Sequence, residues 1–332
     1  MKHSLNKLGA YMKATAIAHP IQGLIKYHGL KDPEKRIPFH DSISVCIEAL
    51  QTVTTVEASE SLRENVIIIN GNKPLRRDRE KVEAVLNKLK SQTRFKGNFK
   101  VVSENSLKEG KGLGFSASGF AALGTAASKA LGMHIDPILL SETVRLGAGS
   151  ATRSLAGGFA IWHADRRGRS YAEQLPTVRD VDFSMLIVPI PSEIKTDEAH
   201  AEVLSSPLFK ERLEKVESML KAMKKAIKNG DIPTIGRLAE EDTLNLHAIT
   251  MTGKSHMVLW EPDTVQIIHE VVKMRLDGLP AWYSIDTGPS IFVNTFKKNM
   301  KEVERRLYKL GFTKTIISGV GGKPTLTDRH FF

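Results

Sequence analysis

The chain lacks three things, and each absence removes a class of protein. It has one cysteine, Cys46, in 332 residues, which excludes an intramolecular disulfide framework and any metal site built from several thiolates. It has no long apolar run. The longest, such as VIII at 66–69 and MLIVPIP at 185–191, are strand-sized, far below the roughly 20 residues of a membrane-spanning helix. The opening MKHSLNKLGAYMK spaces its cations with no apolar stretch behind them, so neither a signal peptide nor an anchor is expected, and a cytoplasmic location is. Aromatic residues make up only 6% of the chain, and no basic-aromatic stacking pattern appears, which argues against a nucleic-acid partner.

Positive charge is abundant. Lys plus Arg is 48 against 37 for Asp plus Glu, a net charge of +11, and this suits an anionic partner. Charge alone does not choose among nucleic acid, a membrane surface and a polyphosphorylated metabolite. The length exceeds what one hydrophobic core usually supports, so two domains are expected. The texture changes near residues 190–205, which places the division at 1–190 and 191–332.

Local pattern gives an α+β chain. SISVCIEAL, TVTTVEAS and VIIIN read as strands, the last closed by Asn70-Gly71, and RRDREKVEAVLNKLKSQ reads as a helix. FKVVSEN is a strand running into glycines, SASGFAALGTAASKALG a close-packed helix, and PILLSETVRLGAGSATRSLAG a second helical stretch before the strand GFAIWHA. The later half opens with a long amphipathic helix, SSPLFKERLEKVESMLKAMKKAIKNG. Helices follow around 232–249 and 263–276, then strand AWYSID, strand IFVNTF, helix KNMKEVERRLYKLG and strand TKTIIS, the order of a ferredoxin-like layer.

Four polar segments at element edges could converge on a ligand. HPIQGLIKYHG carries Lys26 and Tyr27 after an apolar pair. GKGLGFSASGFAAL places Gly112, Gly114, Ser116, Ser118 and Gly119 where a helix opens, so that backbone amides could face a phosphate. LGAGSATRSLAGGF sets Ser150, Arg153 and Ser154 among small residues, and a guanidinium there could grip a carboxylate or phosphate through two hydrogen bonds. YSIDTGPSIFV puts Asp286 between a strand and a turn. His28 and His40 lack the spaced partners of a metal site, so no metal is expected.

HPIQGLIKYHG, PFHDSISV, GLGFSASGFAAL, GSATRSLAGGF and SIDTGP, in that order and spacing, resemble the diphosphomevalonate decarboxylase family of the GHMP kinase superfamily, and most of all its archaeal branch. The resemblance covers nearly the whole chain. It implies an α+β, GHMP kinase-like two-domain fold, with a ribosomal protein S5 domain 2-like N-terminal domain and a ferredoxin-like C-terminal domain. It also implies that Lys26, Ser150, Arg153 and Asp286 hold the family's lysine, serine, arginine and aspartate, with Lys26, Arg153 and Asp286 catalytic. Related 3-kinases that do not decarboxylate lack that aspartate.

The chain departs from the family at the nucleotide loop. Where the family reads Pro-x-x-x-Gly-Leu-(Ala/Gly)-Ser-Ser, this chain has Lys108, Glu109, Gly110 and Lys111, and Phe115 stands at the first serine. A phenyl ring removes a hydroxyl donor, and Glu109 brings negative charge towards a triphosphate. The lysine after the family's KYWG is Leu30, and a second-domain serine position is Lys195.

These departures imply decarboxylation of mevalonate 3,5-bisphosphate with no cofactor. The alternative is an ATP- and Mg2+-dependent decarboxylase of mevalonate 5-phosphate or 5-diphosphate; a 3-kinase and a basic RNA-binding protein rank lower. Lys195, Arg79, Lys81 and Tyr27 are the candidates for holding the 5-phosphate, with Ser150 and Ser154 also on the substrate. A homodimer is the base-rate expectation.

Overall fold

A computed structural model describes residues 12–107, 113–191 and 196–332. In chain order, β1 (Lys13–Ala18), β2 (Ile21–Ile25), β3 (Leu30–Asp32), β4 (Ile37–Pro38), β5 (Ser42–Cys46), β6 (Thr52–Ser59) and β7 (Val66–Ile69) come first. They are followed by α1 (Arg76–Lys90), β8 (Asn98–Asn105), α2 (Phe115–Ala130), α3 (Pro137–Arg145), α4 (Ala151–Ala156), β9 (Phe159–Trp162), β10 (Ala172–Gln174) and β11 (Ser184–Val188). Next come α5 (Thr196–Glu202), α6 (Phe209–Asn229), α7 (Ile232–Met251) and α8 (Pro262–Leu276). The last elements are β12 (Ala281–Ile285), β13 (Ile291–Thr295), α9 (Met300–Lys309), β14 (Ile316–Ser318) and β15 (Thr325–Thr327).

Three larger sheets organise these elements, in the orders β15-β1-β6-β8-β7, β10-β9-β5-β2 and β12-β13-β11-β14. In the first, strand alternation turns Ala14, Ala16, Val56, Ala58, Phe99 and Val101 to one side, where α1 and α2 cover them. The small residues of α2 permit close approach: a Cβ on Gly124 would lie 2.3 Å from the Val144 side chain of α3. The middle sheet shares a core with α6 and α7 through Ile25, Ile43, Phe159, Met223 and Ile235. The third packs on α8 and α9 through Val271, Tyr283, Val293 and Val303.

Two strands cross the division expected at 190. β11 lies in the third sheet, between β13 and β14, and β15 returns to the first sheet beside β1. The stretch read as one helix, 137–157, is two, because the chain bends after Arg145. At that bend a Cβ on Gly147 would sit 2.1 Å from the Phe120 ring. Among the described residues no helix is long and apolar enough to cross a membrane.

The middle and third sheets meet beside β2 and β12. Gln22 donates to Asn294 Oδ1 at 3.0 Å across this seam, and Ser284 Oγ to the Gly23 carbonyl at 2.9 Å. The catalytic candidates lie along it.

Candidate active site

Lys26 follows the fully buried strand β2 and is itself 5% exposed. Its ammonium donates to Thr243 Oγ1 at 3.0 Å and to Ser284 Oγ at 2.9 Å. Both hydroxyls spend their own protons elsewhere, Thr243 on Ala239 O and Ser284 on Gly23 O. Towards Lys26 they can therefore act only as acceptors, which fixes the direction of two of its three N–H bonds. Burial lowers the Lys26 pKa; the carboxylates of Asp242 and Asp286 oppose the fall.

Asp286 closes β12 and is half-buried. Both of its oxygens lie 3.1 Å from the Gly23 N–H. The contact needs glycine, since a Cβ at residue 23 would stand 2.8 Å from Asp286 Oδ1. Burial raises the Asp286 pKa against the pull of Lys26, the Gly23 N–H and Arg153. The ion-pair partner of Lys26, however, is Asp242 Oδ2 at 3.6 Å. Lys26 and Asp286 are thus electrostatic neighbours and not an ion pair in contact.

Arg153 sits on the short helix α4 and is 3% exposed. Its Nε and Nη1 are buried without a hydrogen-bond partner among the described residues, while its guanidinium lies over the Tyr27 ring, 5.5 Å from the centroid. Unsatisfied buried donors on a cation are costly unless an anion meets them. Tyr27 is wedged against Trp162 and stacked on His200 at centroid distances of 4.8 and 5.0 Å, and burial raises its pKa against the pull of Arg153, Arg36 and the nearby Ser150 N–H. Gly149 leaves room for this: a Cβ there would be 2.7 Å from the Tyr27 hydroxyl. Lys26, Tyr27, Ser150, Arg153 and Asp286 therefore converge.

Other expected residues do not join them. Ser154 is fully buried and gives its hydroxyl to the His19 carbonyl at 2.6 Å, because α4 turns that face into the protein. Arg79 is committed to Glu83 at 3.0 Å and to the Asn65 carbonyl at 3.0 Å. Lys81 keeps closer company with the site: burial, Arg36 and Arg77 push its pKa down to about 8, and Arg36 also bears on Tyr27.

At the loop, Ser118 is buried and bonded to Thr52 Oγ1 at 2.7 Å and the Phe115 carbonyl at 3.2 Å, so its hydroxyl belongs to the packing of α2 on β6. Ser116 is exposed in the first turn of α2, and among the described residues nothing lies within 4 Å of where a Cβ on Gly119 would be. Gly114 caps α2 in the left-handed region at φ 74°, with no side-chain cap. Phe115 packs its ring on the middle core. Lys108, Glu109, Gly110, Lys111, Gly112 and Lys195 lie outside the described residues.

Sequence reasoning missed Asp242, Thr243 and His247 on α7, Arg212 on α6, Ser284 on β12 and His200 on α5. A signal was present. Along α7 the buried stripe Ile235, Leu238, Ala239, Asp242, Leu246, Ile249 has helical spacing with one acidic residue in it. On α6 the stripe Arg212, Val216, Met219, Leu220, Met223 opens with a cation. A charge at a core position must be paired inside.

Comparison with known proteins adds independent findings. Residues 18–172 match the model of the diphosphomevalonate decarboxylase-like N-terminal domain, and residues 195–323 that of the mevalonate 5-diphosphate decarboxylase C-terminal domain. The phosphomevalonate decarboxylase of Haloferax volcanii is 36% identical over 319 residues, covering 96% of this chain and 98% of that protein. The solved mevalonate diphosphate decarboxylase from Enterococcus faecalis superposes with a TM-score of 0.89 at 31% identity, over 96% of this chain and 100% of that one. The Staphylococcus aureus enzyme gives a TM-score of 0.90 at 27% identity, over 96% and 98%.

Proposed function

Because the chain belongs to the diphosphomevalonate decarboxylase family and is a carboxy-lyase of that kind, we propose that it converts mevalonate 3,5-bisphosphate to isopentenyl phosphate, CO2 and phosphate without ATP. The observation that carries the reading is the buried Arg153 guanidinium, whose Nε and Nη1 have no partner among the described residues although Tyr27 covers its face. A substrate carboxylate would bring acceptors to this cation, an oxygen meeting one of the two donors, since Nε–H and the Nη1 hydrogens leave different edges of the guanidinium.

The reaction breaks two bonds. The C3–O bond parts with its electron pair on the leaving phosphate, and the carboxylate's C–C pair becomes the C2–C3 double bond as CO2 departs. Lys26, held by Thr243 and Ser284, offsets charge on the departing phosphate. Asp286, fixed by the Gly23 N–H, supplies preorganised negative charge beside the carbon that turns cationic. With phosphate already on C3 there is no hydroxyl for Asp286 to deprotonate. Arg153 orients the carboxylate so that its C–C bond is aligned for cleavage. Tyr27 and Ser150 line the same space, and Lys81 with Arg36 supplies positive potential for the 5-phosphate.

Independence from ATP is supported by the start of α2, where Phe115, half-buried, packs against the middle core and the Ser118 hydroxyl is bonded to Thr52. The second reading, an ATP- and Mg2+-dependent decarboxylase of mevalonate 5-phosphate or 5-diphosphate, is favoured by the unobstructed Ser116 and Gly119 at the same helix start and by the name of the Haloferax relative. The deciding experiment offers purified protein the bisphosphate alone, beside the 5-phosphate and 5-diphosphate with Mg-ATP. Phosphate release from the bisphosphate alone is expected; turnover confined to the ATP-containing reactions would overturn the proposal in favour of the second reading.

A further inference from the structure

Lys26 is held at both of its peptide groups by a buried ion pair from two helices. Its N–H donates to Asp242 Oδ2 at 2.8 Å, and its carbonyl accepts from Arg212 Nη2 at 2.6 Å. The same Arg212 nitrogen reaches Asp242 Oδ1 at 3.0 Å, and Arg212 Nη1 reaches Asn245 Oδ1 at 2.8 Å. Asp242 is 0% and Arg212 1% exposed. We infer that Asp242, braced by Arg212, is a positioning residue that aims the Lys26 side chain and keeps it an ammonium in the reacting state.

The argument is one of geometry and charge. A backbone gripped at N–H and C=O leaves the side chain only its own rotamers, and the two hydroxyl acceptors fix those. A buried ammonium with no anion beside it sheds its proton, and Asp242 Oδ2 at 3.6 Å supplies that anion. Asp286 cannot fill the same role alone, because its oxygens answer to the Gly23 N–H and it also faces Arg153.

The groups bearing on Lys26 are Asp242 and His247 from α7, Arg212 from α6, Asp286 after β12, and His28 two residues on. Burial holds His28 and His247 neutral, His247 with a pKa pushed down to about 3. The charge balance at Lys26 near neutrality is therefore set by Asp242 and Asp286 against Arg212.

This inference rests on the proposed role of Lys26, and its test separates the two. Asp242→Asn keeps an oxygen for the Lys26 N–H and removes the charge, together with the acceptor that Oδ1 offers Arg212. In protein labelled with 15N at lysine side chains and free of substrate, the Lys26 Nζ titration should move to lower pH. In turnover, the basic limb of the kcat profile should move with it, and kcat at pH 8 should fall about tenfold or more while KM changes less than about threefold. Should Arg212 left without its anion unfold the variant, Asp242→Asn/Arg212→Met removes both charges, and shifts in the same direction but smaller are expected, because loss of Arg212 by itself raises the Lys26 pKa. A folded variant whose Nζ titration and basic limb both stay in place overturns the inference. Failure of the wild type on the bisphosphate would overturn the proposed reaction and leave the Nζ titration to decide the role of Asp242.

Discussion

At the scale of single residues, Gly23 makes the sharpest claim, because what matters is the space it leaves open. A methyl there would fall 2.8 Å from Asp286 Oδ1 and 2.7 Å from Lys26 Cγ, so Gly23→Ala should displace the aspartate from its backbone donor. A displacement of about 1 Å in a catalytic group costs roughly 100-fold, and kcat of the folded variant should fall by that order. Titration gives a second handle. Burial first, against Lys26 and the Gly23 N–H, raises the Asp286 pKa above its ordinary value, and the proposed mechanism needs it ionised. The acid limb of kcat should accordingly lie above the ordinary aspartate range, and Asp286→Asn should abolish most of the activity together with that limb.

The residues that carry these claims were legible in the sequence because they stand in motifs of small and polar residues at element ends. Lys26, Tyr27, Ser150, Arg153 and Asp286 were all singled out that way, and the structure draws them together. Ser154 and Ser118 carry the same chemistry but point into packing. Nothing in composition or spacing tells which face of a short helix a hydroxyl will occupy. Asp242 and Arg212 escaped because they lie inside long amphipathic helices, where charge is ordinarily solvated; only their place in the apolar stripe sets them apart.

At the scale of elements, α6 and α7 are joined by that internal pair, and the consequence is measurable. Asp242→Leu leaves the Arg212 cation buried without its carboxylate and should cost about 3–5 kcal/mol of unfolding free energy in denaturant titration. Adding Arg212→Met should restore most of the loss, since an apolar pair of similar volume can replace a buried ion pair at little cost. A double variant no more stable than the single would refute the charge argument. Helices and strands with strong periodicity were read correctly from sequence, α1, α6, α8, β6 and β8 among them. The helix read over 137–157 was misjudged because small residues are compatible with helix and bend alike, and the choice at Gly147 is made by a distant ring, Phe120.

At the scale of the whole molecule, the fold gathers buried histidines behind the site. Burial foremost lowers His40 and His200 to about 4 and His247 to about 3, below the ordinary value near 6.5. Between those limits the unfolded chain binds protons that the folded chain refuses, so stability is full above about pH 6.5 and falls as pH drops towards 4. The melting temperature should decline over that window. Replacing His200 with Gln should flatten the decline, and an unchanged slope would count against its burial as the cause. The α+β character of the chain was readable from its elements. That β11 and β15 cross between regions was not, because strand pairing is decided by partners far away in sequence.

The central claim is that Arg153 holds a departing carboxylate in a reaction that needs no nucleotide. The most direct test is 13CO2 release from carboxyl-labelled mevalonate 3,5-bisphosphate by nucleotide-stripped protein, with wild type and Arg153→Gln side by side. The account predicts one CO2 per phosphate released by the wild type and a loss of about 100-fold or more in the folded variant. Release by the variant at the wild-type rate, or none by the wild type until Mg-ATP is added, would contradict it.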